Sequence, residues 1–208
     1  MSRIAIVSPA IPPGDAVGND ALEMQRVLSA AGHHVGLFSS HWIKKSSTTQ
    51  DIAELVSFLA DDPRAILVSH HSTGWSVGLD LLRRATCRRV VRYHNVTPGR
   101  FFAGYSRDMV RLSQLGREQL RDLARADCDL YLSASAYNQG ELLDAGASPE
   151  RCVVVPPFHH IDRLHGLTAD PKVLGKLDDG RTNLLFVGRR APNKGHRYLL
   201  DAFAVYHE

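Results

Sequence analysis

Asn183-Leu184-Leu185-Phe186-Val187-Gly188-Arg189-Arg190-Ala191-Pro192-Asn193-Lys194-Gly195-His196 reads as a strand, a basic loop and the start of a helix. Leu184 to Val187 is an unbroken apolar run of the length that a buried strand uses. Gly188 ends the run and permits a tight turn. Arg189, Arg190 and Lys194 crowd the loop, and Gly195 opens a helix with apolar positions Tyr198, Leu199, Leu200, Phe203 and Val205. Cations beside a helix N-terminus repel the dipole, so an anion is their natural partner. A phosphate would meet both the side-chain charge and the dipole. One strand and one helix cannot bury their own apolar faces. Residues 183–208 therefore read as the opening of a second, incomplete domain.

Moving outward, composition sets the class. The chain has 208 residues, 44% apolar and 23% charged, which is ordinary for a soluble globular protein. A net charge of +3 is too mild to argue for nucleic acid, and none is expected as a partner. No stretch approaches the ~20 apolar residues of a membrane span. Met1-Ser2-Arg3-Ile4 runs straight into a strand, so no signal peptide is expected and the cytoplasm is the expected compartment. Cys87, Cys128 and Cys152 are isolated and read as reduced structural thiols. No CxxC pair supports zinc, and no metal is expected.

Strand and helix signals alternate. Strands are expected at Ile4–Val7, Val35–Phe38, Ala65–Val68, Val90–Tyr93, Leu130–Leu132 and Cys152–Val155. Between them lie helices. Asp20 and Glu23 read as a capping-box start to the first, which presents Ala21, Met24, Leu28 and Ala31 on one face before Gly32 ends it. Others are expected over Ile52–Leu59, Val77–Arg84, Arg107–Arg125 and Asn138–Asp144. This order predicts an α/β fold, a doubly wound, mostly parallel, Rossmann-like sheet over residues 1–157. Residues 158–182, with Gly166, Pro171, Gly175 and Gly180, read as a linker.

In such sheets ligands dock at loops after the strands' carboxyl ends. The first of these loops, Pro9-Ala10-Ile11-Pro12-Pro13-Gly14-Asp15-Ala16-Val17-Gly18-Asn19-Asp20, sits where a dinucleotide fold holds pyrophosphate. It lacks GxGxxG, and the second strand ends in Phe38-Ser39-Ser40 without an acidic ribose reader, which counts against NAD or FAD. The loop is either a long turn or a backbone-rich lip facing a ligand. His70 and His71 are adjacent on a strand and point to opposite faces, so they chelate poorly; one lines the cleft while the other is packed. His94 follows a strand. Its imidazole either contacts a sugar hydroxyl or is held by Asn95 to shape the turn. Arg83, Arg84, Arg88, Arg89 and Arg92 read as a solvated basic edge that could meet an acidic membrane surface. GxSxG, HExxH and Walker patterns are absent.

Taken in order, these pieces spell out a likeness. The chain resembles the retaining GT-B glycosyltransferases of family four. The likeness runs through Gly14-Asp15-Ala16-Val17-Gly18-Asn19-Asp20, Ala31-Gly32-His33-His34-Val35, His70-His71-Ser72, Tyr93-His94-Asn95-Val96-Thr97-Pro98, Ser135-Ala136-Tyr137-Asn138 and Val155-Pro156-Pro157. Its most specific part is Phe186-Val187-Gly188-Arg189 with Pro192-Asn193-Lys194-Gly195. The resemblance implies two facing Rossmann-like domains, an acceptor-side domain first and a donor-side domain second. It implies that Arg189 and Lys194 grip the donor diphosphate and stabilise the leaving group without a metal. It implies His94 as the catalytic-site residue near the reacting sugar carbon. Gly14, Asp15, Gly18 and Asn19 would form the donor or acceptor loop, and His70, His71 and Asn95 would line the cleft. A nucleotide-diphosphate sugar is then a co-substrate, with no other cofactor. The acceptor would be a glycan, a lipid-linked molecule or a small molecule, and polysaccharide biosynthesis at the inner face of the membrane fits. The family's paired glutamates lie beyond the stretch quoted, so the 208-residue chain is expected to be inactive alone.

Two other readings remain at the level of sequence: a non-catalytic carbohydrate- or lipid-binding Rossmann module, and a nucleotide-cofactor oxidoreductase.

Overall fold

The computed structural model describes residues 1–12, 14–40, 48–60 and 62–207. Pro13 of the first loop lies outside the described residues. The chain divides into two compact units, Met1–His159 and the part from His160 onward.

The first unit is built on one seven-stranded sheet. The strands are β1 (Arg3–Ser8), β2 (His34–Ser39), β3 (Thr49–Asp51), β4 (Ile66–His71), β5 (Arg88–Tyr93), β6 (Leu130–Ser133) and β7 (Cys152–Val154). Their order is β3-β2-β1-β4-β5-β6-β7, and every pairing is parallel. The order reverses between β1 and β4, the switch point where open α/β sheets form a ligand crevice. The connecting helices are α1 (Ala16–Ala30), α2 (Leu55–Leu59), α3 (Ser76–Arg84), α4 (Arg107–Ala124) and α5 (Ala136–Asp144).

Strand alternation sorts the core into two layers. Ala5, Val7, Leu67, Val91 and Tyr93 face one side, with Leu79 and Leu82 of α3, Leu120 and Leu123 of α4 and Leu142 of α5. Ile4, Ile6, Val68 and Val90 face the other, with Ala21 and Met24 of α1. A fully buried leucine such as Leu82 contributes about 1.5–3 kcal/mol. The three cysteines are buried and unbridged, and burial raises each thiol's pKa. No helix among the described residues is long and apolar enough to cross a membrane.

The first helix departs from the sequence reading. α1 starts earlier, at Ala16, and Asp15 is its cap, accepting from the Val17 and Gly18 N–H groups. Asp20 and Glu23 are not a capping pair; both are buried in the helix body. Strand β3 was not expected, because Thr49-Gln50-Asp51 carries no apolar signal and is recruited only by pairing with Leu37, Phe38 and Ser39.

In the second unit, α6 (Pro171–Leu177) occupies part of the stretch read as linker, and α7 (His196–His207) follows Gly195 as expected. The expected strand at Leu184–Val187 does not form. These residues are 70%, 89%, 45% and 83% exposed. A strand is made by ladder hydrogen bonds, and no strand among the described residues pairs with this one.

Candidate functional site

The carboxyl ends of β4 and β5 carry a buried polar cluster on the α1 side of the sheet. His70 on β4 and Arg92 on β5 are register partners and share a face with Val68 and Val90. Asp20, one turn into α1, comes down onto them. Arg92 Nε donates to Asp20 Oδ2 and Nη2 to Oδ1, each at 3.0 Å. Both side chains have no exposed surface. Two further guanidinium protons reach the Val155 and Pro156 carbonyls at 2.6 and 3.2 Å. The Phe158 N–H donates to Asp20 Oδ1 at 2.6 Å, and the Phe158 ring lies 6.0 Å from the guanidinium carbon. A buried charge pair is tolerable only when its spare donors and acceptors are used in this way.

His94 completes the cluster. Its Nε2 lies 3.0 Å from His70 Nδ1 and 3.3 Å from Asp20 Oδ2. The two rings stack with centroids 5.0 Å apart and planes 29° from parallel. Burial drives the His94 pKa down to about 4; Asp20 opposes the shift, Arg92 adds to it, Asp15 opposes it and His71 adds to it. Burial also pushes His70 well below the ordinary histidine value, aided by His94 and Arg92. Both imidazoles are thus neutral at pH 7. Asn95, next in the chain, has φ of 73°, a left-handed turn that asparagine tolerates better than most residues.

Asp20, His70 and His94 each offer one ligand-type atom, all within 4.8 Å of one another. The chemistry of the set opposes a divalent ion. Asp20 already accepts from the Arg92 guanidinium at two points and from the Phe158 N–H, and a metal would be placed beside that fixed positive charge in a dry site.

Beside the cluster lies the first loop. Gly14 N–H donates to Asn19 Oδ1 at 3.0 Å, which closes the loop over the start of α1. Gly18 lets it pack there. A Cβ at Gly18 would sit 2.1 Å from the Pro12 carbonyl oxygen. The helix N-terminus capped by Asp15 thus stands next to the histidine pair, within reach of its charge.

Of the residues that sequence reading singled out, the structure brings His70 and His94 together, with the Gly14, Asp15, Gly18 and Asn19 loop nearby. His71 points to the opposite face. Its Nε2 donates to the Gly116 carbonyl of α4 at 2.8 Å, and burial lowers its pKa to about 4. It is the packed member of the pair. Arg92 is a correction: it is not on a solvated basic edge but wholly buried. Arg89 is also engaged, donating to the Leu82, Ala126 and Asp127 carbonyls. Asp20 and Arg92 were missed as site residues. A charged residue following Val90-Val91 in an apolar strand was the signal for Arg92. Arg189 and Lys194 belong to the second unit, both exposed, and the Lys194 stem lies 3.9 Å from where a Gly188 Cβ would be.

No family model and no curated protein matches the chain. Solved structures do. The HepE protein of Anabaena, in complex with UDP and glucose, superposes with a TM-score of 0.58 at 18% identity, over 98% of this chain and 58% of its own. An α-glucosyltransferase in complex with UDP and a 13-mer DNA containing an HMU base gives 0.51 at 19% identity, over 79% of this chain and 45% of its own. This chain therefore spans about half the length of those structures. At this level of identity the likeness establishes the α/β, Rossmann-like fold that the parallel sheet already displays.

Proposed function

We propose that this chain is the acceptor-side domain, with the opening of the donor-side domain, of a GT-B glycosyltransferase of the retaining family-four kind. The reaction moves a sugar from a nucleotide-diphosphate sugar to an acceptor hydroxyl. The observation that carries the reading is the buried His94–His70–Asp20–Arg92 cluster at the carboxyl edge of the sheet, beside a helix N-terminus and a glycine-bearing loop. It sits in a fold shared with a protein solved with UDP and glucose.

In this reading His94 meets the donor sugar, and the Gly14–Asn19 loop faces the diphosphate or the acceptor. Arg189 and Lys194 hold the diphosphate from residues 183–208, the opening of the donor-side domain, joined to residues 1–157 through 158–182. Two cations fixed near the departing nucleotide diphosphate offset its growing negative charge, so no metal or further cofactor is required. The acceptor is a glycan, a lipid-linked molecule or a small molecule, and the work is done in the cytoplasm or against the inner membrane face.

The test is titration calorimetry of the complete gene product with UDP and UDP-glucose, and mass-spectrometric turnover over a panel of nucleotide sugars. Arg189→Ala and Lys194→Ala should each weaken UDP binding by roughly tenfold or more. Indifference to every nucleotide sugar, with no change in binding from either substitution, sinks the reading. Glycan binding without donor turnover would favour a non-catalytic carbohydrate-binding module instead.

A further inference from the structure

His94 has two nitrogens, and the cluster treats them differently. Its Nε2 faces Asp20 Oδ2 at 3.3 Å and His70 Nδ1 at 3.0 Å. A carboxylate oxygen can only accept. A proton on His94 Nε2 therefore sits between a carboxylate and a ring lone pair, both of which attract it. The opposite placement, with the proton on His70 Nδ1, turns the His94 Nε2 lone pair toward the carboxylate. In a site this buried, that repulsion is strong.

There is a cost on the other side. With His70 Nδ1 accepting, the neutral His70 ring carries its proton on Nε2, and that atom is buried with no hydrogen-bond partner among the described residues. An unmet donor of this kind costs about 1–3 kcal/mol. The structure tolerates it at the one position where it keeps His70 Nδ1 free to receive the His94 proton. Asp20 is itself held rigidly by Arg92 and by the Phe158 N–H, so it cannot turn away.

We propose that Asp20 and His70 are positioning residues that fix His94 in the Nε2–H form, so that His94 presents Nδ1 to its ligand as a hydrogen-bond acceptor. The proposal rests on the glycosyltransferase reading for the identity of that ligand, a donor sugar or acceptor hydroxyl. Under it, the hydroxyl donates to His94 rather than accepting from it. The charged and titratable groups around His94 are Asp20 on α1, Asp15 before it, His70 and His71 on β4 and Arg92 on β5. None of them offers a proton acceptor to Nδ1 in place of the ligand among the hydrogen bonds and ion pairs resolved for His94.

The experiment is long-range ¹H–¹⁵N correlation spectroscopy at pH 7 on the 208-residue chain labelled with ¹⁵N-histidine, with His94 and His70 assigned by His94→Gln and His70→Gln. It needs no turnover, so it can fail while the glycosyltransferase reading stands, and the reverse. The expected result is a His94 signal with a pyridine-like Nδ1 and a pyrrole-like Nε2, the Nε2–H form in roughly tenfold or greater excess. Asp20→Asn removes the charge and keeps the shape, and in that variant the excess should fall severalfold. A His94 ring in the Nδ1–H form overturns the proposal, whatever the variants do. An unchanged Nε2–H excess in folded Asp20→Asn overturns the role of Asp20. Movement of both ring signals to metal-bound positions on adding equimolar zinc chloride would also overturn it.

Discussion

Arg92 and Asp20 stand 72 residues apart in the chain and meet in a two-point ion pair, 3.0 Å at each point, with no solvent access. The pair ties α1 to the interior strand β5 and so fixes the floor of the candidate site. Removing one partner leaves the other charge buried and unmatched. Arg92→Met should destabilise the first unit by about 3–5 kcal/mol, and Asp20→Ala by a comparable amount. Urea unfolding of the single and double variants checks this: the double variant should lose less than the sum of the two. Full additivity would show that the pair is not coupled.

Acid should unfold the chain early. His71 and His94 have folded pKa values lowered to about 4 from the ordinary 6.5, and His70 is lowered as well. Between those values the unfolded chain binds more protons than the folded one, so stability falls as pH falls. The contribution is complete above pH 6.5 and is lost progressively down to about 4. For His71 and His94 it is on the order of 3 kcal/mol apiece. Urea midpoints should be flat from pH 7 to about 8 and drop steadily below 6.5. Replacing His71 by Asn should flatten part of that slope.

Two glycines in helices give opposite forecasts. At Gly18 an added methyl meets the Pro12 carbonyl oxygen at 2.1 Å, a backbone atom that cannot step aside. Gly18→Ala should cost about 1–3 kcal/mol and displace the first loop. At Gly140 in α5 an added methyl meets nothing within 4 Å. Gly140→Ala should raise stability by about 0.5–1 kcal/mol. Thermal melts of the two variants check both signs.

Tyr93 donates its hydroxyl to Glu141 Oε2 at 2.8 Å, while Arg117 donates to Glu141 Oε1 at 3.1 Å. Burial and the Glu141 carboxylate hold the Tyr93 pKa above the ordinary phenol value. Tyr93→Phe removes the bond but leaves Glu141 its arginine, so the loss should be about 1–1.5 kcal/mol. Glu141→Leu should cost more, because it leaves the buried Tyr93 hydroxyl without its acceptor, while the exposed Arg117 guanidinium keeps only the Val96 carbonyl. Chemical denaturation separates the two.

The sheet was readable because its strands are apolar runs punctuated by turns, and a fully buried parallel strand needs little else. Ile4–Val7, Val35–Phe38 and Val90–Tyr93 all announce themselves in this way. His94 was readable from its place just past a strand's carboxyl end. The partners that define its chemistry were not. Asp20 looks like a helix cap, since local spacing to Glu23 supports one, and nothing nearby in sequence reveals a guanidinium 72 residues later. Arg92 looks like one more cation in a basic stretch, because a sequence shows charge but not the direction of a side chain. Leu184–Val187 shows the reverse error. Its composition suits a strand, but a strand exists only where a neighbour completes its hydrogen bonds.

Phe158 is the last participant in the cluster around Asp20, reached by its backbone N–H at 2.6 Å. That tie has a temporal meaning during synthesis. The carboxylate at position 20 leaves the ribosome early, and its final backbone donor arrives only when the chain has grown past 158. A fragment ending at Pro157 lacks that donor altogether, and Asp20 Oδ1 is then left to Arg92 alone.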